Sequence, residues 1–279
     1  MKKYFLYFII FVLFVGCEDV IDIDTPSEEP RLFVDGLIRV DESKATTNVS
    51  INVGLTSSFF ESTNTASGSE LVIRNESYVG TNPSDENFIV LNETFPGTYE
   101  GAKNTDFFTS GELQLLINHE DQVYLATTTY VPAVPIERLE QGEGSLFTGD
   151  ETEILVSFTD NASREDFYLF DFDFNEYLVT EDEFYQGQTF EFSYFYDEGV
   201  QAGREIGISL IGVDETFFNY MNQVIVQAGG DQGPFQTPSA TVRGNIRNVT
   251  NGENADARND FALGYFAVCQ TFNESIIIE

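Results

Sequence analysis

Phe167-Tyr168-Leu169-Phe170-Asp171-Phe172-Asp173-Phe174-Asn175 alternates aromatic rings with acids and an amide. Successive side chains of a strand point to opposite faces, so Tyr168, Phe170, Phe172 and Phe174 form one aromatic face and Asp171, Asp173 and Asn175 point the other way. The pattern predicts a strand over residues 167–179. The same acids carry the first spacings of a helix-loop-helix calcium site, with Asp182 at the last ligand position. That alternative fails on two residues: Glu176 stands where the loop needs glycine for its turn, and Phe172 and Phe174 between the acids favour a strand.

Similar runs rich in Val, Ile, Phe, Tyr and Thr recur on both sides, separated by clusters of Gly, Asn, Asp and Ser. Residues 31–40, 48–55, 70–75, 112–117 and 122–131 read as strands, as do 153–158, 189–196 and 204–213. Polar stretches at 61–69 and 80–87 read as loops. The expectation is an all-β, mainly antiparallel fold, with an Ig/transthyretin-like β-sandwich over residues 31–132. Pro132 and Pro135 cannot donate to a central ladder and mark a soft division. A second β-rich part is expected over 133–279.

That second part carries one predicted helix near residues 214–228. Asp214 is its N-cap; Phe217, Phe218, Met221, Val224 and Ile225 make one apolar stripe, and Gly229-Gly230 end it with a left-handed cap. The stripe is read as core. Beyond the helix, 231–240 reads as a loop, 241–246 as a strand, 248–259 as a loop and 261–272 as a final strand. Ile276-Ile277-Ile278 is expected to pair at a sheet edge.

At the start, Lys2 and Lys3 precede an apolar run over residues 4–15, then Gly16 and Cys17. This is an export leader of lipoprotein type, residues 1–16, too short to span a bilayer comfortably, with lipid expected on Cys17. Thioether and acyl chains anchor the chain by burying methylenes at about 0.8 kcal/mol each. Residues 17–30, with six acids and two prolines after the cysteine, read as an extended tether able to reach about 40 Å. The formal net charge is −34 at pH 7. Such a chain repels nucleic acid, which is bound through Lys and Arg on phosphate. Abundant Phe and Tyr argue against a disordered coil.

No catalytic constellation stands out, and no cofactor is implied. His119, the one histidine, reads as a turn residue in Asn118-His119-Glu120-Asp121. A histidine-rich zinc site cannot be built from it, and no Gly-x-Ser-x-Gly elbow seats a hydrolase serine. With Cys17 lipidated, Cys269 has no partner for a disulfide and reads as a small buried residue on a strand. Glu181-Asp182-Glu183 is an oxygen-rich cluster that would bind calcium weakly at most. Tyr185, Tyr194, Phe195 and Tyr196 could stack on a sugar, but sheet packing is the reading preferred. Pro234, Phe235, Thr237 and Pro238, in the loop after the helix, are a candidate contact surface.

Several stretches together resemble a Bacteroidetes lipoprotein family classified as domain-of-unknown-function family 4249. They are Cys17-Glu18-Asp19-Val20-Ile21-Asp22-Ile23, Leu32-Phe33-Val34-Asp35-Gly36-Leu37-Ile38, Gly97-Thr98-Tyr99 and Tyr124-Leu125-Ala126-Thr127-Thr128 with Val131-Pro132. Pro234-Phe235 with Thr237-Pro238, Val242-Arg243-Gly244-Asn245-Ile246 and Leu263-Gly264-Tyr265-Phe266 continue the likeness over almost the whole chain. In that lineage acids after the lipidated cysteine resemble a surface-export signal, which Glu18 and Asp19 fit. The resemblance implies a periplasmic or surface-exposed β protein, often encoded beside a TonB-dependent receptor barrel, and brings no catalytic residues.

The expectation is therefore a non-enzymatic, lipid-anchored protein on the outer face of the outer membrane, a binding or accessory partner of an outer-membrane β-barrel receptor in nutrient uptake. Two other classes stand beside it: a structural subunit of an outer-membrane assembly complex, and a hydrolase using paired carboxylates.

Overall fold

The structure is a computed structural model, and it describes residues 30–57, 64–80, 86–146, 149, 151–196, 199–229, 240–252 and 261–279. Cys17, Glu18, Asp19 and the candidate contact loop with Pro234, Phe235, Thr237 and Pro238 lie outside the described residues.

The fold is predominantly β. β1 (Leu32–Val40) and β2 (Thr46–Leu55) alternate cleanly, sending Val34, Ile38, Val49, Ile51 and Val53 inward. β3 (Asn64–Thr65), β4 (Glu70–Asn75), β5 (Phe88–Phe95) and β6 (Thr98–Asn104) follow. A one-turn helix, α1 (Thr105–Phe108), then drops Phe107 and Phe108, both fully buried, into the same core. β7 (Glu112–His119) and β8 (Gln122–Val131) complete this part as a hairpin.

The second part contains β9 (Ile136–Gln141), β10 (Thr152–Thr159), β11 (Phe167–Asp171), β12 (Tyr177–Glu181), β13 (Thr189–Tyr196) and β14 (Glu205–Val213). The helix α2 (Glu215–Ala228) comes next, then β15 (Arg247–Asn248) and the long strand β16 (Leu263–Ile277). Asp214 caps α2 as predicted, its side chain accepting from the Phe217 N–H at 2.7 Å. At the other end Gly229 has φ −69°, and Gly230, the second glycine of the expected left-handed cap, lies outside the described residues.

Pairing runs β16-β1-β2-β6-β5-β4-β7-β8, and β8 meets β16 again at Tyr130 opposite Val268 and Val131 opposite Cys269. The circuit of eight strands closes into a barrel-like sheet. Sheets are mixed, because β1–β16 and β8–β16 are parallel while the other pairs are antiparallel. The division expected after residue 132 is crossed by β16. Its first half pairs with β1 and its second half, from Thr271 on, pairs with β14. Ile276 and Ile277 are the end of this strand, opposite Ile206 and Glu205, rather than a separate edge element.

Facing the β12-β11-β14 sheet is a three-stranded sheet, β13-β10-β9, and the two share one aromatic core. Phe158, Tyr168, Phe170 and Phe172 are completely buried there. Tyr185, Tyr194 and Tyr196 belong to the same packing, with Tyr194 stacked on Phe172 at 3.7 Å and Tyr185 on Phe190 at 4.3 Å. β14 reads as a nearly unbroken apolar run past Ile208 because this core covers one face and α2 the other.

Two strand expectations are corrected. The run predicted as one strand over 167–179 folds back at Asp171: Asp173, Phe174 and Asn175 take φ of 67°, 52° and 63°, and β12 returns antiparallel to β11. Asp and Asn tolerate this left-handed region. Their side chains also stabilise the turn, since the Asp171 carboxylate accepts from the Asp173 N–H and the Asp173 carboxylate from the Phe174 N–H. The acids that read as a solvent face are turn formers.

The strand expected over 241–246 is not one either; only Arg247–Asn248 pair regularly. The segment crosses β16 at contact distance. A Cβ on Gly244 would lie 1.6 Å from the Gly264 carbonyl oxygen, and one on Gly264, at φ +87°, would lie 1.8 Å from the Val34 oxygen. This approach places the Asn245 amide at the barrel seam. Asn245 accepts from the Phe266 N–H at 2.9 Å and donates to the Phe266 oxygen at 2.8 Å and the Thr127 oxygen at 3.2 Å. One side chain thus stands in for a strand between β16 and β8.

Replacing Asn245 by Ala orphans the N–H and C=O of Phe266. At about 1–3 kcal/mol for an unsatisfied buried group, a clear fall in the urea midpoint is expected, with an Asn245→Asp variant no better because its carboxylate would face two carbonyls. At the turn, Asn175 is exposed. Asn175→Gly should raise stability by about 0.5 kcal/mol and Asn175→Val lower it by about 1–2 kcal/mol in the same assay, the signs following from the positive φ.

Candidate functional site

β1 presents its even-numbered residues to the barrel core and its odd-numbered ones outward. Phe33, Asp35, Leu37 and Arg39 therefore share one outer face, beside the outward residue Tyr265 of β16. That face needs a cover, and α2 supplies it only in part. Phe217 is buried against Tyr265 with ring centroids 4.7 Å apart, and Tyr220 lies 5.1 Å from the same ring. Val226, farther along α2, is 38% exposed, so the cover ends early.

A groove of about 510 Å³ remains between helix and sheet, walled by Tyr177, Tyr220, Tyr265, Met221, Val242 and Leu263. This is within the range of small-ligand sites, as is the mix of apolar walls with few polar groups. Arg39 donates to Asp171 at 2.6 Å, tying β1 to β11 across the groove. The side chain of Asp35, exposed on its rim, has no hydrogen-bond or ion-pair partner among the described residues.

The phenols of the groove are held protonated. Burial raises the pKa of Tyr220, with the Asp35 charge adding to it; burial and then the Asp171 carboxylate raise that of Tyr177; burial and then Asp214 raise that of Tyr265. None is poised to act as a base near neutrality. Cys269, under α2, is completely buried and its thiol pKa is pushed up by desolvation, the opposite of an activated nucleophile.

Two other constellations have structural roles. His119 ends β7 and its Nδ1 lies 2.9 Å from Ser69 Oγ, but that hydroxyl donates to the Ala66 oxygen, so it accepts from the ring rather than yielding a proton to it. This reverses the direction a serine nucleophile requires. Asp160, Asp166 and Asp182 are all buried. The Tyr168 hydroxyl lies 2.6 Å from Asp160 and 3.2 Å from Asp166, Arg164 pairs with Asp166, and Asp182 accepts from the Asp166 N–H. Among the described residues no three His, Cys, Asp or Glu side chains converge to hold a metal ion.

The sequence reading did not single out Asp35, Tyr177, Tyr220 or Tyr265 as site residues, although Asp35 and Tyr265 fall in stretches that carry the family resemblance. Two signals were available: the outward phase of residues 33–39, and the aromatic content of the capped helix. The anchor residues and the contact loop lie outside the described residues, though Val242, just past that loop, lines the groove. No helix among the described residues is long and apolar enough to cross a membrane.

The family model described as Domain of unknown function (DUF4249) matches residues 18–275. The chain belongs to this family. Among curated proteins nothing matches it.

The buried phenols set an alkaline limit. Burial pushes Tyr185 up to about 12 from its ordinary 10. Above pH 10 the unfolded chain therefore releases a proton that the folded chain keeps, and stability present below pH 10 is lost as pH rises toward 12. The shift corresponds to a loss on the order of 2–3 kcal/mol from Tyr185 alone. Urea unfolding across this range should show a falling midpoint, and Tyr185→Phe should flatten the fall.

Proposed function

We propose that this member of the DUF4249 family is a lipid-anchored protein of the outer membrane, facing outward, that holds a small ligand in the groove beneath α2 and serves an outer-membrane β-barrel receptor of the TonB-dependent type as a non-enzymatic accessory in nutrient uptake. The observation that carries the anchor is the leader itself: Lys2-Lys3, the apolar run over 4–15, Gly16, and Cys17 followed by Glu18 and Asp19. The acidic stretch up to Pro30 separates that cysteine from β1, enough chain to lift the β body off the lipid headgroups.

Support for a binding role comes from the groove's size, its apolar walls and its protonated phenols, which recognise without reacting. On the fold, the finer reading is that the closed sheet is a flattened Ig/transthyretin-like sandwich, because side chains of β1, β2, β4 and β7 meet in one cluster inside it.

Expression of the full chain tests the anchor and the address together. Mass spectrometry should find an acylated Cys17, Cys17→Ala should move the protein out of the membrane fraction, and protease added to intact cells should remove the wild-type chain. Capture in mild detergent should retain a β-barrel receptor. An unmodified cysteine or full protection from protease would overturn this reading, and capture of a barrel-assembly machine instead would assign the chain a structural role there.

A further inference from the structure

We propose that the groove beneath α2 is a site for a small solute bearing a methylated ammonium group, seated against Tyr177, Tyr220 and Tyr265 with Asp35 as its counter-ion. This rests on reading the groove as a ligand site and adds the chemical class of the ligand.

Charge is the first argument. Two charged side chains line the groove, Asp35 and Arg39, and Arg39 pairs with Asp171 at 2.6 Å. Arg39 is therefore spent on Asp171, which leaves Asp35 as the uncompensated carboxylate at the mouth among the described residues. The chain's net charge of −34 strengthens this field and repels anionic solutes.

The rings are the second. Tyr177, Tyr220 and Tyr265 line the same space, Tyr220 and Tyr265 packed on one another at 5.1 Å and 45°. A cation within about 6 Å of a ring centroid is attracted by the ring quadrupole, the physics of aromatic cages for quaternary ammonium groups.

The third argument separates methylated from bare ammonium. A primary ammonium brings three N–H donors and needs as many acceptors. Beyond the rings and the two charged groups, the side chains of the wall, Leu37, Met221, Val242 and Leu263 among them, are carbon except for the Ser50 hydroxyl, which is too few acceptors for three donors. Methyl groups on nitrogen remove the donors and gain contact with that wall.

The test is calorimetric titration of the full-length chain, in an uncharged maltoside detergent, with choline, with its carbon isostere in which a tert-butyl group replaces trimethylammonium, and with ethanolamine. Choline should bind at least tenfold more tightly than either comparator. Asp35→Asn, at an exposed position, should weaken choline about tenfold and leave the isostere unchanged, and Tyr220→Leu, which removes the ring, should weaken choline more than it weakens the isostere. Equal binding of choline and isostere would overturn the cation assignment and leave the groove as an apolar ligand site. No heat with choline, or wild-type affinity in Asp35→Asn, would overturn the inference, whereas the anchor and barrel partner stand or fall on acylation, shaving and capture.

Discussion

One strand holds the molecule together. β16 places Phe266 and Val268 in the barrel core, Tyr265, Ala267 and Cys269 against α2, and Phe272 and Ile276 in the aromatic core between the two C-terminal sheets. Each residue step flips a side chain from one core to another, so the register of a single strand fixes three packings at once. A one-residue slip would put Tyr265 and Cys269 inside the barrel and expel Phe266 and Val268. No local adjustment could repair that.

The groove follows from the same constraint. Because β16 and β1 close the barrel side by side, their outward faces form one continuous surface that cannot be left bare, as Tyr265, Ala267 and Leu37 are apolar. Only the first half of the 14-residue helix, around Phe217 and Met221, sits on the sheet. What is left uncovered is concave, ring-lined and bounded by β1. Barrel closure, helix docking and groove are therefore one arrangement, and the Asn245 seam reaches the groove through Gly264, which touches Val34 on one side and Gly244 on the other.

Much of this was legible in the chain where contacts are local. Alternation placed β1, β4, β8 and β13 almost to the residue, and the Asp214 cap marked the helix start. What sequence alone could not give was non-local. The parallel pairing of residues 33–40 with 263–270 joins opposite ends of the chain, and no local pattern encodes it. The turn at Asp173-Phe174-Asn175 was missed because alternating rings and acids satisfy a strand as well as a turn, and the outcome hangs on whether Asp171 and Asp173 bond the N–H groups just after them. β9 escaped notice because Glu137, Arg138 and Glu140 face water on a strand whose buried contacts are few. The 241–246 segment looked like a strand, but it meets β16 and β8 through the side-chain amide of its own Asn245 rather than through a ladder.

The scarcity of cations gives the electrostatics their shape. With 13 basic residues against 47 acidic ones, each positive charge has a choice of carboxylates, and several are placed where distant parts of the chain meet. Arg39 joins β1 to β11, Arg204 lies 4.4 Å above the ring of Phe174 in the turn, and Arg31 and Arg243 both sit over Phe261, at 4.6 and 4.0 Å. Cations fixed at such joints cannot also neutralise the surface between them. The mouth of the groove is such a surface: its one arginine is committed to Asp171, its phenols are held neutral by burial, and its field is set by the carboxylate of Asp35. The charge selectivity we propose for the groove thus rests on how the fold distributes the few positive residues it has.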